Sequence, residues 1–304
     1  MMNNPSTIPK ISKESEMIMK IVTDSAADLP AEELKSLDIV EAPLYIQFPE
    51  GEVSSADLTP DQFYDRLEAM HPAIPTTALP SSGVFANIYH KLAETSKQIL
   101  SIHISSGLSG TVHSARMGGE QVEGAEVTTV DAMTLSGGQR FQVLAAAWAS
   151  RADWSIKAIL ERLQKIRENT EVIYTLETLD YLARGGRIGR VQALMGSVLK
   201  IKPVIRVDHQ DGKYSTVAKG RTISQNLVTM VDHIANMYGS IPLWATVLHG
   251  RLSDSAASLA AAMQERLAIK KMEILRISPV LGVHTGPGIV GTAVVPLELV
   301  EDLN

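Results

Sequence analysis

The sequence contains no cysteine, and this absence excludes several kinds of chemistry. Without thiols the chain cannot form disulfide bonds, use a thiolate nucleophile or bind zinc through cysteine. Aromatic residues make up only 5% of the 304 residues, whereas hydrophobic residues of all kinds make up 45%. A low aromatic content disfavours surfaces that stack bases or sugars, and the abundant aliphatic side chains favour aliphatic cavities.

The chain also lacks net positive charge and long apolar runs. Lysine and arginine total 28 against 34 aspartates and glutamates, which gives a formal net charge of −6. Nucleic-acid binding therefore has no overall electrostatic support, and we expect no nucleic-acid partner. No run of about 18 apolar residues occurs, so we predict no transmembrane segment. Transient contact with a membrane surface stays open.

The first 16 residues are polar and lack the apolar centre of a signal peptide. We interpret residues 1–16 as a flexible N-terminal tail. The absence of a signal peptide and of cysteine fits a cytoplasmic protein.

Strands, helices and short loops alternate through the first half of the chain. Strands are predicted at residues 17–23, 99–104 and 126–130, and helices at 61–70, 84–97, 136–149 and 155–168. This alternation predicts a parallel sheet with helices on both faces. Residues 39–48 are predicted as one extended segment and residues 75–83 as a loop. The loops that follow residues 23, 104 and 130 are expected to share one edge of the sheet, where such folds bind ligands.

The pattern changes near residue 170. Strands are predicted at residues 171–175, 203–208 and 213–218, with Asp211-Gly212 as the turn of a hairpin. Further helices are predicted at 223–237 and 253–267, strands at 243–248, 273–277 and 289–295, and a loop at 282–288. We therefore predict an α/β chain with two domains, a parallel-sheet α/β/α domain at 17–170 and an α/β domain with a mixed or antiparallel sheet at 171–304. No linker separates them, so we expect a ligand pocket between the two.

The most informative stretch is the turn from Ser105 to Thr111, which follows an apolar strand and precedes a helix. Hydroxyl groups, glycines and a helix N-terminus together are suited to binding an anion. The alternative is that Ser109 or Thr111 is an ordinary helix cap.

His284 stands out among the eight histidines because it lies beside Thr285 in a Gly-Pro-Gly segment that follows an apolar run. It is either a turn histidine held by the backbone or a donor to a ligand oxygen. Thr77 offers a hydroxyl in a proline-bounded segment, with helix capping as the alternative. His103 is predicted to be a core residue and His249 a strand-end residue. Neither has a partner at metal-ligand spacing, so we expect no metal site.

Several enzyme classes lack their sequence signature. A Gly-x-Ser-x-Gly elbow, a phosphate-binding loop and a dinucleotide-binding glycine motif are all absent. An acyl-ester or acyl-phosphate hydrolase that uses Ser109 and His284 remains an alternative, as does a sensor of phosphate or sugar with a polar pocket. The basic turn around Arg187 is either a solvated loop or a docking site for phosphate or an acidic partner. The aliphatic residues 194–201 behind it line either the core or a ligand tunnel.

Taken in order, these motifs resemble those of the DegV family of bacterial fatty-acid-binding proteins. The likeness runs from about residue 19 to the end of the chain. The matching pieces are residues 22–30 (VTDSAADLP), 77–81 (TALPS), 105–111 (SSGLSGT), 181–188 (YLARGGRI), 199–203 (LKIKP) and 284–288 (HTGPG).

The resemblance implies a lipid-binding carrier without catalytic activity or cofactor, whose ligand is one long-chain fatty acid. It places Thr77 and Ser109 at the fatty-acid carboxylate, with His284 nearby. Members that serve a fatty-acid kinase present the acid for phosphorylation to acyl phosphate, a step of fatty-acid metabolism and phospholipid synthesis. Arg187, Lys219 and Arg221 resemble contacts for such a partner or for the new phosphate.

The sequence departs from the family pattern at two places. The usual Ser-Gln-Pro-Ser after the loop threonine is here Ala78-Leu79-Pro80-Ser81, and the usual Asp-Ser after the fourth strand is Asp131-Ala132. The less polar loop is expected to alter the preference for chain length or headgroup.

Overall fold

The computed structural model describes residues 19–194 and 201–303. The strands are β1 Lys20–Asp24, β2 Ile39–Ala42, β3 Tyr45–Phe48, β4 Gly51–Ser54, β5 Thr76–Ala78, β6 Gln98–His103, β7 Glu126–Asp131, β8 Glu171–Leu176, β9 Lys202–Val207, β10 Tyr214–Gly220, β11 Leu243–His249, β12 Ile269–Arg276 and β13 Ile289–Pro296. The helices are α1 Ala31–Leu37, α2 Pro60–Ala69, α3 Ser82–Ala93, α4 Thr111–Gly119, α5 Ser136–Arg151, α6 Ile156–Glu168, α7 Asp180–Arg184, α8 Ile223–Tyr238, α9 Ser253–Arg266 and α10 Pro279–Thr285.

The first sheet is parallel throughout, with strand order β2-β1-β6-β7. Helices α3 and α4 cover one face of this sheet, while α1 and α5 contact the other. The parallel sheet with helices on both faces is confirmed. Because parallel strands need a crossover connection, the helices between them follow directly from the topology.

The second sheet is mixed, with strand order β10-β9-β8-β13-β11-β12. All neighbouring strands are antiparallel except the pair β11 and β12. The predicted hairpin at Asp211-Gly212 joins β9 to β10, and Gly212 has a φ of 64°. Such a positive φ is easily adopted only by a residue without a Cβ atom.

A third, three-stranded sheet of order β4-β3-β5 was not predicted. The single extended segment expected at residues 39–48 is wrong, since β2 and β3 belong to different sheets. Pro43 lies between them and has no N–H group to continue a ladder. The loop expected at residues 75–83 contains β5, which pairs with β3 through Thr77 and Ile46.

Helix α5 lies between the two larger sheets. Fourteen of its sixteen residues are buried, and it contacts β1 and β6 of the first sheet and β8 and β13 of the second. A Cβ atom at Gly137 would lie 2.7 Å from that of Ala293, so glycine is needed for this close approach. Arg140 bonds to both Glu33 and Glu273 and so connects the halves of the chain. A domain boundary near residue 170 remains a proposal.

Two sequence interpretations lie outside the described residues. These are the tail at residues 1–16 and most of the aliphatic stretch at 194–201. In the described part of the chain, no helix combines the length and apolar character needed to cross a membrane.

Candidate functional site

The carboxyl ends of β1, β6 and β7 meet at one edge of the parallel sheet, as predicted. Asp24 Oδ2 accepts a hydrogen bond from the backbone N–H of Ile104 at 3.0 Å. Asp131 Oδ1 accepts from the N–H groups of Ser106 at 3.2 Å and Met133 at 2.8 Å. These carboxylates therefore hold the start of the loop that carries Ser109 and the loop that follows β7.

A buried chain of polar groups lies under this edge. His103 Nδ1 is 2.9 Å from Asp24 Oδ2, its Nε2 is 2.6 Å from Ser101 Oγ, and Ser101 Oγ is 2.8 Å from the Tyr89 hydroxyl. The order serine, histidine, aspartate is that of a hydrolase triad. His103, Asp24, Ser101 and Tyr89 are all fully buried, however, so this network satisfies polar groups inside the core. His103 is a core residue, as predicted.

A cavity of about 80 Å³ opens between this edge and the second half of the chain. Its polar wall comprises Thr77, Ser109, Arg187, Tyr214 and His284. Its apolar wall comprises Leu44, Ala78, Leu79, Ile104, Leu108, Leu135, Val280 and Leu281.

Thr77 and His284 are hydrogen-bonded to each other across this cavity wall, with 2.9 Å between Oγ1 and Nε2. Burial lowers the pKa of His284 to about 4, and the nearby charge of Arg187 adds to this effect. The imidazole is therefore neutral at pH 7. Its Nδ1 is buried and has no hydrogen-bond partner in the described residues. Gly185 packs against it so closely that a Cβ atom there would lie 2.2 Å from Nδ1.

Ser109 is paired with Thr111 at the start of α4. The two hydroxyl oxygens are 2.8 Å apart, and Ser109 Oγ also accepts from the backbone N–H of Thr111 at 3.3 Å. The helix-cap alternative for Ser109 or Thr111 is wrong, because Gly110 holds the N-cap position of α4 and no side chain caps this helix. Thr111 is fully buried, whereas Ser109 is half-buried and lines the cavity.

The structure separates the three basic residues that the sequence grouped together. Arg187 lines the cavity, where its Nε donates to the carbonyl of Leu108 at 3.3 Å and its Nη1 to that of Gly185 at 2.7 Å. Lys219 and Arg221 are exposed at the end of β10 and do not line the cavity. Arg187 therefore offers a positive charge at the cavity itself.

Two further expectations are altered. His284 was predicted in a loop but lies in the last turn of α10, because Pro279 starts a helix there and Gly286, with a φ of 71°, ends it. Ser109 and His284 were weighed as a hydrolase pair, but their hydroxyl and imidazole groups bond to Thr111 and Thr77 instead.

Sequence reasoning did not identify Tyr214 as a wall residue. Burial raises the pKa of its hydroxyl, which therefore stays protonated. Its position in the cavity wall depends on the fold of the second sheet, and no local motif marks it.

The sequence is similar to that of a described protein family over most of its length. Residues 18–297 match the sequence profile of a family described as "Uncharacterised protein, DegV family". A DegV domain-containing protein of Deinococcus radiodurans is 35% identical over 286 residues, which cover 92% of this chain and 99% of the relative.

Comparison with solved structures gives the same family. A DegV family protein from Thermus thermophilus, described for its fatty-acid binding, superimposes with a TM-score of 0.86 at 30% identity and covers 92% of this chain and 99% of its own. A stearic acid-binding protein from Eubacterium ventriosum has a TM-score of 0.80 at 25% identity, covering 91% of this chain and 98% of its own.

Proposed function

Because the chain belongs to the DegV family, we propose that it binds one long-chain fatty acid in this cavity. The carboxylate would lie at the polar wall and the acyl chain against the aliphatic wall. One observation carries the proposal: Thr77, Ser109 and Arg187 converge on a single cavity whose remaining wall is mainly aliphatic. The Thermus thermophilus and Eubacterium ventriosum proteins are themselves named for fatty-acid binding.

The hydrogen-bond partners of the two hydroxyl groups favour donation to a carboxylate. When neutral His284 carries its proton on Nε2, it donates to Thr77 Oγ1 and leaves the Thr77 proton free for the ligand. When Thr111 donates to Ser109 Oγ, the Ser109 proton is free in the same way. We therefore assign His284 a positioning role through Thr77, in place of the direct donation considered from the sequence.

Arg187 would supply the positive charge that the carboxylate needs. Burying an ionised carboxylate is costly unless charged or well-oriented donors satisfy it. Two of the nitrogen atoms of Arg187 hold backbone carbonyls, while its Nη2 makes no hydrogen bond within the described residues. The geometry supports Nη2 as the donor to the ligand.

The acyl chain would supply most of the affinity. Burying about 14 methylene groups at about 0.8 kcal/mol each amounts to about 11 kcal/mol before the costs of association. A cavity of about 80 Å³ has room for only a few atoms of such a chain. The aliphatic side chains around it must therefore move apart when a long acid enters.

We further propose that the protein is a carrier rather than a hydrolase. The test is to incubate purified protein with an acyl ester and to follow free acid over time. A carrier retains at most one acid per chain and releases no product continuously. Steady release of acid would contradict the carrier function and favour the hydrolase alternative.

Presentation of the acid to a fatty-acid kinase is the finer part of this proposal. A carboxylate oxygen would attack the γ-phosphorus of the ATP held by the kinase, ADP would leave, and acyl phosphate would form. The exposed side chains of Lys219 and Arg221 are suited to contact such a partner. We expect Lys219→Ala with Arg221→Ala to slow acyl-phosphate formation while fatty-acid affinity stays unchanged. Equal rates for the variant and the unmodified protein would contradict this role.

A further inference from the structure

A second cavity, of about 390 Å³, lies on the other side of α10. Pro279, the first residue of α10, and Ser278 before it line this cavity, while Val280, Leu281 and His284 of the same helix line the first. Its walls come from both halves of the chain. Residues after β1, on β2 and before α2 line it from the first half, and residues at the end of β12 line it from the second. None of its charged groups takes part in the fatty-acid site described above.

Two acidic side chains belong to the wall of the second cavity. Asp28 and Glu41 both line it. Asp28 accepts hydrogen bonds from the Ser136 hydroxyl and from the backbone N–H of Ser278, whereas Glu41 accepts one at 3.0 Å from the Ser25 hydroxyl.

Burial raises the pKa of Asp28 to about 6 and that of Glu41 to about 7. The charges of Asp24 and Asp28 raise the pKa of Glu41 further, and no salt bridge to Glu41 occurs among the residues that the structure describes. Two carboxyl groups in the wall of this cavity therefore provide a position for a ligand ammonium group.

The wall of the second cavity also carries a basic side chain, which is only partly paired. Arg276 lines the cavity, and its Nε and Nη2 are buried without a hydrogen-bond partner in the described residues. Nη2 lies 2.9 Å from Asp61 Oδ1, close enough for an ion pair but not aligned as a hydrogen bond. The Ser278 hydroxyl, two residues further along, lies near Asp28 but also lacks an aligned hydrogen bond.

We propose that the second cavity binds a small α-amino acid with an apolar side chain, holding the ammonium group at Asp28 and Glu41 and the carboxylate at Arg276. The side chain of the ligand would pack against the leucines that complete the wall, Leu29, Leu34, Leu58 and Leu275. A zwitterion matches a cavity whose wall carries both carboxylate acceptors and a guanidinium. A metal ion does not match, because no cluster of three or more potential ligands occurs in the described residues.

The test is calorimetric titration of the full-length protein with three probes that share one hydrocarbon skeleton. L-leucine carries both charges, 3-methylbutylamine only the ammonium group, and 4-methylpentanoate only the carboxylate. We expect L-leucine to bind at least tenfold more tightly than either of the other two. Absence of leucine binding, or equal binding of leucine and the amine, would overturn the proposal. This comparison needs no variant.

Two variants test the assigned contacts. Glu41→Gln and Arg276→Gln should each weaken leucine binding at least tenfold, while Glu32→Gln, at an exposed position on α1, should leave it unchanged. Circular dichroism and the fatty-acid content of each preparation show whether the variants fold. Folded Glu41→Gln protein with full leucine affinity would overturn the assignment.

Discussion

Replacing Thr77 by valine isolates the contribution of one hydroxyl group to carboxylate binding. Valine has nearly the same shape and suits the strand β5, so the substitution removes the hydroxyl and little else. A hydrogen bond to a charged group contributes about 1.5–3 kcal/mol, which corresponds to a rise of about 10- to 150-fold in Kd. Binding should persist, because the acyl chain contributes a larger free energy, of about 11 kcal/mol before association costs.

The substitution should also reduce the stability of the protein without ligand. His284 Nε2 lies 2.9 Å from Thr77 Oγ1, and valine leaves this nitrogen of a largely buried imidazole without its partner. An unsatisfied buried polar group costs about 1–3 kcal/mol, so the free energy of unfolding should fall by that amount. Denaturant titration of delipidated protein measures it.

The assay compares two ligands with the same hydrocarbon chain, stearate and 1-octadecanol, on delipidated protein. Thr77→Val should weaken stearate binding and affect octadecanol binding much less, because the charged acceptor is absent from the alcohol. Thr76→Val is the matched control, since Thr76 is exposed on the same strand and does not line the cavity. Unchanged stearate affinity in Thr77→Val, or equal losses for the acid and the alcohol, would refute the proposed contact.

Three further predictions concern the neighbours of this contact. Arg187→Gln should lower stearate affinity about 10- to 150-fold and have little effect on octadecanol affinity. It should also raise the pKa of His284, because a nearby positive charge is lost, and NMR titration measures this pKa. Gly185→Ala should weaken stearate binding, because the new Cβ atom would lie 2.2 Å from His284 Nδ1. It should also lower the free energy of unfolding by about 1–3 kcal/mol, as measured by denaturant titration. Full stearate affinity in this variant would show that the packing of Gly185 against His284 does not matter. The pKa of His284 is about 4 when folded and near 6.5 when unfolded, so the unfolded state binds more protons between these values. The unfolding free energy should therefore rise with pH from about 4 to 6.5 by about 3 kcal/mol relative to His284→Gln, and parallel curves for the two proteins would contradict this.

Much of the fold follows from local patterns in the sequence. The strand before Ser105 and the helix after it were predictable because an apolar run, a glycine-rich turn and a helix start follow one another. The separate sheet formed by β3, β4 and β5 was not predictable, because β5 has only three residues and pairs with a strand about 30 residues earlier. The helical position of His284 was missed because glycines and a proline after it suggested a turn along the whole segment.

Most residues of the candidate site could be predicted from the sequence, but the contacts between them could not. Thr77, Ser109 and His284 were each marked by a motif, and all three line one cavity. That His284 contacts Thr77 and that Arg187 reaches the cavity depend on elements far apart in the chain, whereas the contact between Ser109 and Thr111 is local but has no signature in the sequence. The sequence alone therefore suggested three equal donors, whereas the geometry supports two hydroxyl donors, one positioning imidazole and one guanidinium.

The most direct test of the central claim is mass spectrometry of the molecule extracted from purified, denatured protein. We expect about one long-chain fatty acid per chain, with a lower content in Thr77→Val and Arg187→Gln protein prepared in parallel. Protein that carries no fatty acid, and that takes up no stearate when it is added, would contradict the central claim.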